Sequence, residues 1–246
     1  MNDVIIHHAI AEQADSDLIF KGHGLHNLGT AHADGGAIHD NAAEGVLNQG
    51  NLNLSNISIH TNATYGLSIE AGTAVLHATQ IHNNGTSDTR SGMSVAGEVM
   101  LYDCDVYANF DQGIEVRAGG DLLLVRSTVR DHASGGLAVH EGGTAEAEAA
   151  AFENNVNGGG LGSAVQNAGD LILSASHVVN NGDMGVYNIG HAHTEMYDTN
   201  VTDNAGRGVY NQDSGGELLM FRVLVARNLD GSDSAVSNHG TMTLEN

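Results

Sequence analysis

The chain has 246 residues, no proline, one cysteine and a formal net charge of −22, with 30 acidic residues against 8 basic ones. Because Lys and Arg neutralise phosphates, this balance argues against nucleic-acid binding and against adsorption to an anionic membrane. A single cysteine excludes an internal disulfide framework, and no run approaches the roughly 18 apolar residues of a membrane helix.

Residues 1–23 fit no repeat and contain two short segments, Asp3–Ile10 and Leu18–Lys21, each typical of a strand. A repeat stack must cover its open end, and terminal repeats are usually atypical for that reason. We therefore predict that 1–23 form an N-terminal cap or a degenerate first coil. Met1–His8 lack the basic start and long apolar middle of a signal peptide, so we predict none in this chain.

From residue 24 to residue 246 a unit of about 23 residues repeats, marked by an apolar anchor, two variable residues and Asn. Nine copies occur, and their last residues are separated by 21, 22, 25, 23, 23, 26, 23 and 24 positions. Eight copies end in Asn and one ends in His132. The copies are Ile38–Asn41, Ile59–Asn62, Ile81–Asn84, Val106–Asn109, Val129–His132, Phe152–Asn155, Val178–Asn181, Val201–Asn204 and Val225–Asn228.

Each unit opens with a small residue, usually Gly, and a short apolar strand such as that in Gly45–Gly50. An alternating strand follows, for example Asn51–Leu54 or Asp170–Leu173, before the anchor segment. Period-2 alternation indicates a strand with one buried face, and no segment keeps the 3.6-residue period of a helix. The pattern predicts an all-β fold, a single-stranded parallel β-helix (solenoid) of about ten coils over 24–246.

The repeated Asn should form a column at one corner of the stack. Asn tolerates left-handed backbone geometry, and its amide can bond to the next Asn in the column, so we interpret the column as structural. Three long turns leave the same corner, Asn84–Gly92, Asn155–Ser163 and Asn228–Ser234. Insertions in solenoids often collect on the binding face, but drift in exposed turns explains them equally well.

Two stretches, Ser163–Leu173 and Phe152–Asn155, resemble the repeats of polymorphic outer-membrane proteins and related bacterial surface proteins. Gly35–Ile38 matches the Gly-Gly-Ala-Ile motif of those repeats literally. The resemblance covers about 220 residues and implies a right-handed parallel β-helix, an exported or surface setting and a passenger or adhesin-like role. The architecture is also similar to that of the pectate-lyase-like families, which bind or cleave polysaccharides.

The sequence stops at Asn246, midway through a coil, and an exposed β edge is a liability that proteins normally cover. We therefore expect a β-helix that is truncated at this end. Further repeats of a larger exported protein, or an end-to-end contact with a partner, would cover the edge. The expected location is extracellular or at the cell surface.

The residue after each anchor should point outward and form a second column that could hold a sugar chain or an acidic group. Along the chain the column reads His39, His60, His82, Tyr107, Arg130 and Glu153. Imidazoles stacked about 4.8 Å apart could also approach a metal, and an ordinary exposed polar column is the remaining alternative. We predict no resident cofactor or metal. Calcium is left open as an alternative without a supporting motif, because the Gly-Gly-x-Gly-x-Asp series of calcium-binding nonapeptide repeats is absent.

Glu115, Arg117 and His140 are the candidate catalytic residues, with Arg117 and His140 expected in one column, one coil apart. Glycan cleavage or epimerisation needs a base to remove a proton and a cation to stabilise the resulting charge. The alternative is an ion-pair network, in which Asp105 should pair with Arg126 of the next coil. No recognisable catalytic signature of a β-helix lyase or epimerase is present.

The leading hypothesis is a non-catalytic extracellular or surface module that presents a rigid face to a polysaccharide or a surface protein. The alternatives are a polysaccharide-active enzyme of the lyase or epimerase type and a passive spacer. An acid, an Arg and a His within mutual reach in a groove would favour the enzyme, and a flat face would favour binding. The excess of acidic residues is typical of a solvated surface. The alternative interpretation is that the acidic surface binds a basic partner.

Overall fold

The computed structural model describes residues 4–7, 22–86, 91–155, 163–228 and 235–245, which form strands and turns without a helix. Within these ranges, therefore, no helix is long and apolar enough to span a membrane. Parts of the three predicted long turns, residues 87–90, 156–162 and 229–234, lie outside the described residues.

In chain order the strands are β1 (Val4–His7), β2 (Leu25–Asn27), β3 (Thr30–His39), β4 (Val46–Asn48), β5 (Asn51–His60), β6 (Leu67–Ile69), β7 (Thr73–His77), β8 (Gln80–His82), β9 (Met93–Val95), β10 (Glu98–Tyr102), β11 (Asp105–Tyr107), β12 (Gln112–Val116), β13 (Asp121–Val125), β14 (Thr128–Arg130), β15 (Gly135–Val139), β16 (Thr144–Glu148), β17 (Ala151–Glu153), β18 (Ser163–Asn167), β19 (Asp170–Ser174), β20 (His177–Val179), β21 (Met184–Asn188), β22 (His193–Tyr197), β23 (Asn200–Thr202), β24 (Val209–Asn211), β25 (Glu217–Phe221), β26 (Leu224–Ala226), β27 (Val236–Asn238) and β28 (Thr241–Glu245).

The strands stack into a parallel β-solenoid of about nine coils, close to the ten predicted, with a spacing of about 23 residues. Each coil contributes one strand to a ten-stranded sheet and the rest to an eighteen-stranded sheet that bends around a corner. Pairing is parallel and links equivalent residues of successive coils. For example, β10 pairs with β7 on one side and with β13 on the other. The predicted all-β parallel solenoid is confirmed.

The N-terminal strand β1 pairs with β3 in register, from Val4 opposite Gly36 to His7 opposite His39. It therefore lies along the edge of the first coil, where an atypical end segment is expected. The predicted cap boundary at residue 23 stays a prediction, because residues 8–21 lie outside the described residues.

The interior is one continuous column of aliphatic side chains. In β7, Ala74 and Leu76 are fully buried, whereas Thr73, Val75 and His77 alternate with them and face outward. This alternation is what the period-2 pattern predicts. Burying one Val, Leu or Ile contributes about 1.5–3 kcal/mol, so the stacked anchors are a main source of stability.

The predicted Asn column is a buried ladder of hydrogen bonds. The side-chain amide of Asn41 donates to Oδ1 of Asn62 at 2.8 Å, and the backbone N–H of Asn41 donates to the same oxygen at 3.2 Å. Asn62 repeats both bonds to Asn84, and its amide also donates to the carbonyl of Ile38. Each Asn thereby satisfies backbone groups of neighbouring coils that water does not reach, which buried main-chain groups require.

Of the two reasons predicted for Asn at this corner, bonding from amide to amide is confirmed and tolerance of left-handed backbone geometry is wrong. The residue before each ladder Asn adopts the left-handed conformation, with φ of 55° at Thr61, 52° at Asn83 and 59° at Asp203. The ladder residues, such as Asn62 and Asn204, have no positive φ. The amide's hydrogen-bonding capacity, and not backbone tolerance, therefore selects Asn at this position.

A second Asn ladder, which was not predicted, follows the ends of the short strands. Asn167 donates to Asn188 at 3.2 Å, Asn188 donates to Asn211 at 3.0 Å, and Asn211 donates to Asn238 at 2.7 Å. The equivalent positions in the central coils are Ile69, Val95, Val116 and Val139. Because aliphatic residues interrupt the column, its period is hidden in the sequence.

His132, which interrupts the first ladder, reproduces the bonding of the Asn that it replaces. The backbone N–H of Asn109 donates to Nδ1 of His132 at 3.2 Å, and Nε2 lies 3.0 Å from the carbonyl of Val106. Nδ1 must therefore accept, and the proton lies on Nε2. The ring is fully buried, and this burial lowers the pKa of His132 from 6.5 to about 4.

We predict that His132→Asn makes the protein more resistant to acid than the wild type. Between pH 6.5 and about 4 the unfolded chain binds a proton at His132 that the folded chain does not. The free energy of unfolding of the wild type therefore falls as the pH drops through this window, by up to about 3 kcal/mol. The measurement is denaturant unfolding of both proteins at several pH values.

The control is His132→Ala, which leaves the backbone groups of Asn109 and Val106 without partners. Its free energy of unfolding should be about 2–4 kcal/mol lower than that of the wild type, and this loss should already be present at neutral pH. If the difference in stability between wild type and H132N does not change with pH, the assignment of a buried neutral imidazole is wrong.

Candidate functional site

The predicted outward column forms a continuous stack of side chains, here called the ring ladder, made of His39, His60, His82, Tyr107 and Arg130. The ring centroids of successive members lie 4.8, 5.0 and 4.6 Å apart from His39 to Tyr107, with interplanar angles of 3°, 13° and 9°. The guanidinium carbon of Arg130 lies 4.5 Å from the centroid of the Tyr107 ring. The predicted juxtaposition of these five residues is therefore what the structure shows.

Local hydrogen bonds hold each ring in its orientation. Nδ1 of His60 lies 3.0 Å from the hydroxyl of Thr61, and Nδ1 of His82 lies 3.0 Å from the amide nitrogen of Asn83. Because that amide donates, Nδ1 of His82 accepts and its proton lies on Nε2, 3.1 Å from the hydroxyl of Ser58. The rings stack face to face and turn their edges toward these neighbours and the surface.

The electrostatics of the ring ladder favour neutral imidazoles. Partial burial lowers the pKa of both His60 and His82, and repulsion from the preceding ring, His39 or His60, lowers each further. Arg130 is already paired, with NH2 2.7 Å from Asp105 and NH1 2.6 Å from Asp131. The ladder therefore offers hydrogen-bonding groups at neutral pH rather than free positive charge.

Metal binding has no geometric support in the described part of the chain. There, no group of three or more His, Cys, Asp or Glu side chains could hold a metal ion. The single thiol, Cys104, is buried among the carbonyls of Leu76 and Tyr102, and burial raises its pKa to about 11. A buried thiol of this kind is chemically unreactive, so Cys104 is a core residue.

The three candidate catalytic residues also meet, on the outer face of the ten-stranded sheet. Oε1 of Glu115 lies 3.0 Å from Nε2 of His140, and Oε2 accepts from NH2 of Arg117 at 3.2 Å. Val116 and Val139 pair in register, which places Arg117 and His140 one coil apart, as predicted. Arg117 also donates to the hydroxyl of Tyr65 at 2.7 Å.

Tyr65 was not predicted as a member of this cluster. It precedes Arg117 by 52 positions and reaches it across two coil spacings, so no local motif connects the two. The available signal is that an aromatic residue directly precedes Gly66, at the start of a unit. The same guanidinium nitrogen of Arg117 donates to the phenol and to Glu115.

The cluster is a charge network in this structure. Both oxygens of the Glu115 carboxylate face a basic side chain, Arg117 or His140. The side chains of Arg117 and His140 are 47% and 52% exposed, and an exposed pair of this kind contributes little stability. The catalytic assignment of these residues stays a prediction.

The predicted pair of Asp105 with Arg126 is wrong. Arg126 forms two bonds of 2.8 Å to Asp103, whereas Asp105 accepts from Arg130 and stands opposite Thr128. The reason is backbone geometry, since Asp103 and Arg126 both have positive φ at the same corner of successive coils. Their side chains therefore leave the corner in parallel and meet.

The same pairing recurs at two other places that were not predicted. Arg222 forms a bidentate pair with Asp198, and Arg227 forms one with Asp203. The NH2–Oδ2 distance is 2.6 Å in both pairs. All four residues have positive φ. Most Arg side chains in the described part of the chain thus tie neighbouring coils together and are not available as ligand-binding cations.

A family model described as right handed beta helix region matches residues 23–161 and 99–246 of the chain. No curated protein matches the sequence. The sequence resemblance to polymorphic outer-membrane proteins stays a prediction.

Three similar solved structures are those of polysaccharide-active enzymes. They are the periplasmic alginate epimerase AlgG (9% identity, 86% of this chain, 55% of that chain, TM-score 0.47), the A-module of the mannuronan C-5 epimerase AlgE6 of Azotobacter vinelandii (13%, 86%, 64%, 0.44) and the pectate lyase Pel9A (10%, 99%, 68%, 0.49). At these identities the likeness is one of fold alone. The chain spans about half the length of the first of these structures.

The ring ladder predicts a coupled titration of its imidazoles. In the wild type, the pKa values of His60 and His82 should both lie below the ordinary value of 6.5. In His60→Gln, the pKa of His82 should rise, because a neighbouring positive charge is removed. The measurement is an NMR titration of the imidazole carbon-bound protons.

His39→Gln is the matched control for this titration. His39 contributes to the lowered pKa of His60, whereas His60 is the ring that lowers the pKa of His82. H39Q should therefore raise the pKa of His60 and leave that of His82 nearly unchanged. An unchanged His82 titration in H60Q would contradict the stacked arrangement.

Proposed function

The chain belongs to the family of right-handed β-helix regions, and we propose that it is a binding module whose ring ladder takes an extended, uncharged glycan. A fold of this kind hosts several activities, so the function rests on the site and not on the architecture. The observation that carries the proposal is the in-register stack of His39, His60, His82 and Tyr107, spaced 4.6–5.0 Å apart.

The chemistry of the ring ladder suits hydroxyl groups. A neutral imidazole has one donor and one acceptor, and a phenol has both, as a sugar hydroxyl does. A cationic surface would instead select carboxylates or sulfates, but burial lowers the pKa of His60 and His82, and Arg130 is paired with Asp105 and Asp131. The net charge of −22 further disfavours an anionic chain.

The rigidity of the ring ladder supports binding of a repeating ligand. Backbone pairing of β3, β5, β8 and β11 fixes the spacing of the rings before any ligand arrives. Preorganisation reduces the entropy lost on binding, so weak contacts repeated along a chain can add up. A spacing near 5 Å is comparable to the rise of one sugar in an extended glycan.

The proposed setting is the outside of the cell, within a larger exported protein and without a resident cofactor. The acidic, lysine-poor composition and the resemblance of Phe152–Asn155 to surface-protein repeats support this setting. A surface protein is the alternative partner, whereas nucleic acid and membrane insertion are not proposed. An end-to-end contact at β28 stays a prediction, with Leu244 60% exposed there.

The proposal predicts that His60→Ala/His82→Ala weakens glycan binding at least tenfold. Removing both rings leaves a gap of two positions in the centre of the stack and takes away the stacked surface that the glycan would contact. The measurement is affinity electrophoresis followed by calorimetry, with soluble neutral polysaccharides (a mannan, a xylan and a β-glucan) and alginate as an anionic comparison.

The matched control is His32→Ala/His177→Ala, which removes two exposed imidazoles outside the ring ladder. It should bind like the wild type. If both double variants weaken glycan binding equally, the ring ladder is not the binding surface. If alginate binds more strongly than every neutral polysaccharide, the proposal that the ligand is uncharged is wrong.

A second candidate function is a polysaccharide lyase or epimerase, favoured by the convergence of Glu115, Arg117, His140 and Tyr65. If the cluster is catalytic, acidic polysaccharides incubated with the wild type should acquire unsaturated ends or an altered uronic-acid ratio. His140→Gln should abolish this change, and Asp111→Asn, outside the cluster, should not. Tight binding without either product argues for the binding module, and neither binding nor product leaves the passive spacer.

A further inference from the structure

The outer face of β7, β10 and β13 carries an apolar strip on a sheet face that is open to solvent. Val75, Met100 and Leu123 stand directly opposite one another in successive coils and are half-buried. The hydroxyl of Tyr102 lies 3.8 Å from the sulfur of Met100, so the ring extends the strip sideways. Outward positions of a solvated sheet are normally polar, and three partly exposed apolar side chains in register depart from that rule.

Three exposed carboxylates border the strip along one side and one end. Glu98 and Asp121 stand opposite each other in neighbouring strands, and Glu146 follows Leu123 in the next coil. Together with Met100 and Leu123, these acids line a cleft of about 180 Å³. That volume is below the roughly 300–1,000 Å³ of small-molecule pockets and suits a single inserted side chain.

The carboxylates of the cleft differ from the acids that pair with Arg at the neighbouring corner and column. In the described residues, Arg126 pairs with Asp103 and Arg130 with Asp105, so those charges are compensated. No ion pair within the same residues involves Asp121 or Glu146, and Glu98 receives a hydrogen bond of 3.3 Å from the hydroxyl of Thr73. Like charges directly opposite in a sheet repel, so this edge would be stabilised by an added cation.

We propose that this cleft docks a basic partner protein through a Lys or Arg flanked by apolar residues. The aliphatic stem of the inserted side chain would lie on Met100 and Leu123, and its charge would meet Glu98, Asp121 and Glu146. Lys and Arg combine these two characters in one side chain. The net charge of −22 would steer a basic partner toward the protein and would repel an acidic one.

This surface is separate from the ring ladder, since the corner at Asp103 and Arg126 lies between them along each coil. The inference therefore goes beyond the proposed glycan binding and does not depend on it. His60→Ala/His82→Ala should leave binding at the cleft unchanged, so failure of one proposal is distinguishable from failure of the other.

The test titrates the full chain into a dye-labelled synthetic peptide of alternating Lys and Leu, followed by fluorescence anisotropy. The wild type should bind this peptide, and binding should weaken as salt is added. A peptide with Ser in place of Leu should bind at least tenfold more weakly, and one with Glu in place of Lys should not bind.

Glu98→Gln/Asp121→Asn/Glu146→Gln should weaken binding of the Lys–Leu peptide at least tenfold. The matched control, Asp111→Asn/Glu141→Gln/Glu153→Gln, removes the same net charge elsewhere and should change the affinity less than twofold. Met100→Gln/Leu123→Gln, which leaves the charge unaltered, should weaken binding about tenfold, with circular dichroism confirming the fold of each variant.

Three outcomes would overturn the proposal. One is the absence of binding to the Lys–Leu peptide by the wild type at low salt. Another is equal weakening by the two charge-neutralised triple variants, which would indicate attraction by net charge alone. The last is equal binding of the Lys–Ser and Lys–Leu peptides, because the apolar strip would then contribute nothing.

Discussion

In-register parallel pairing is the constraint on which the rest of this structure depends. Every side chain lies one strand spacing, about 4.8 Å, from the residue at the same position in the next coil. A column is therefore stable when its members can contact their own kind. Aliphatic residues do so by packing, aromatic rings by stacking, and Asn by donating and accepting through one amide, as Asn41 and Asn62 do. Carboxylates cannot, and Asp103 is accordingly opposed by Arg126.

His132 shows that few side chains can meet this constraint at a buried position. The ring is accepted in an Asn column because Nδ1 takes the place of the amide oxygen and Nε2–H takes the place of the amide N–H. The substitution retains the bonds to the backbone but adds a group that titrates. A residue chosen for its hydrogen-bonding pattern thus makes the stability of the central coils depend on pH, since the folded state requires the neutral ring.

What could be predicted from the sequence follows from the same constraint. Properties that repeat every coil were predictable, including the strands, the anchor column and the ring ladder, because His39, His60 and His82 share a position one residue after the anchor. Features that break the period were not. Tyr65, for example, reaches Arg117 across two coil spacings. The pair of Asp103 and Arg126 keeps the period, but nothing in the sequence marked both positions as a left-handed corner. The corner geometry was inferred for the wrong residue, since the residue before Asn bends the chain.

The two exposed surfaces differ in whether contacts between successive coils already stabilise their side chains. A column of side chains that is stabilised in this way does not need a ligand. The ring ladder is stabilised by its own stacking, so its presence follows from folding, and its use in binding depends on the ring edges that remain at the surface. Glu98 and Asp121 are the opposite case, because pairing in register brings two like charges together that the described residues do not compensate. Two such charges beside Met100 and Leu123 oppose folding, and a cation supplied from outside the chain would remove that repulsion. Positions of a solenoid at which residues of successive coils repel one another are therefore the positions where a bound partner stabilises the protein most.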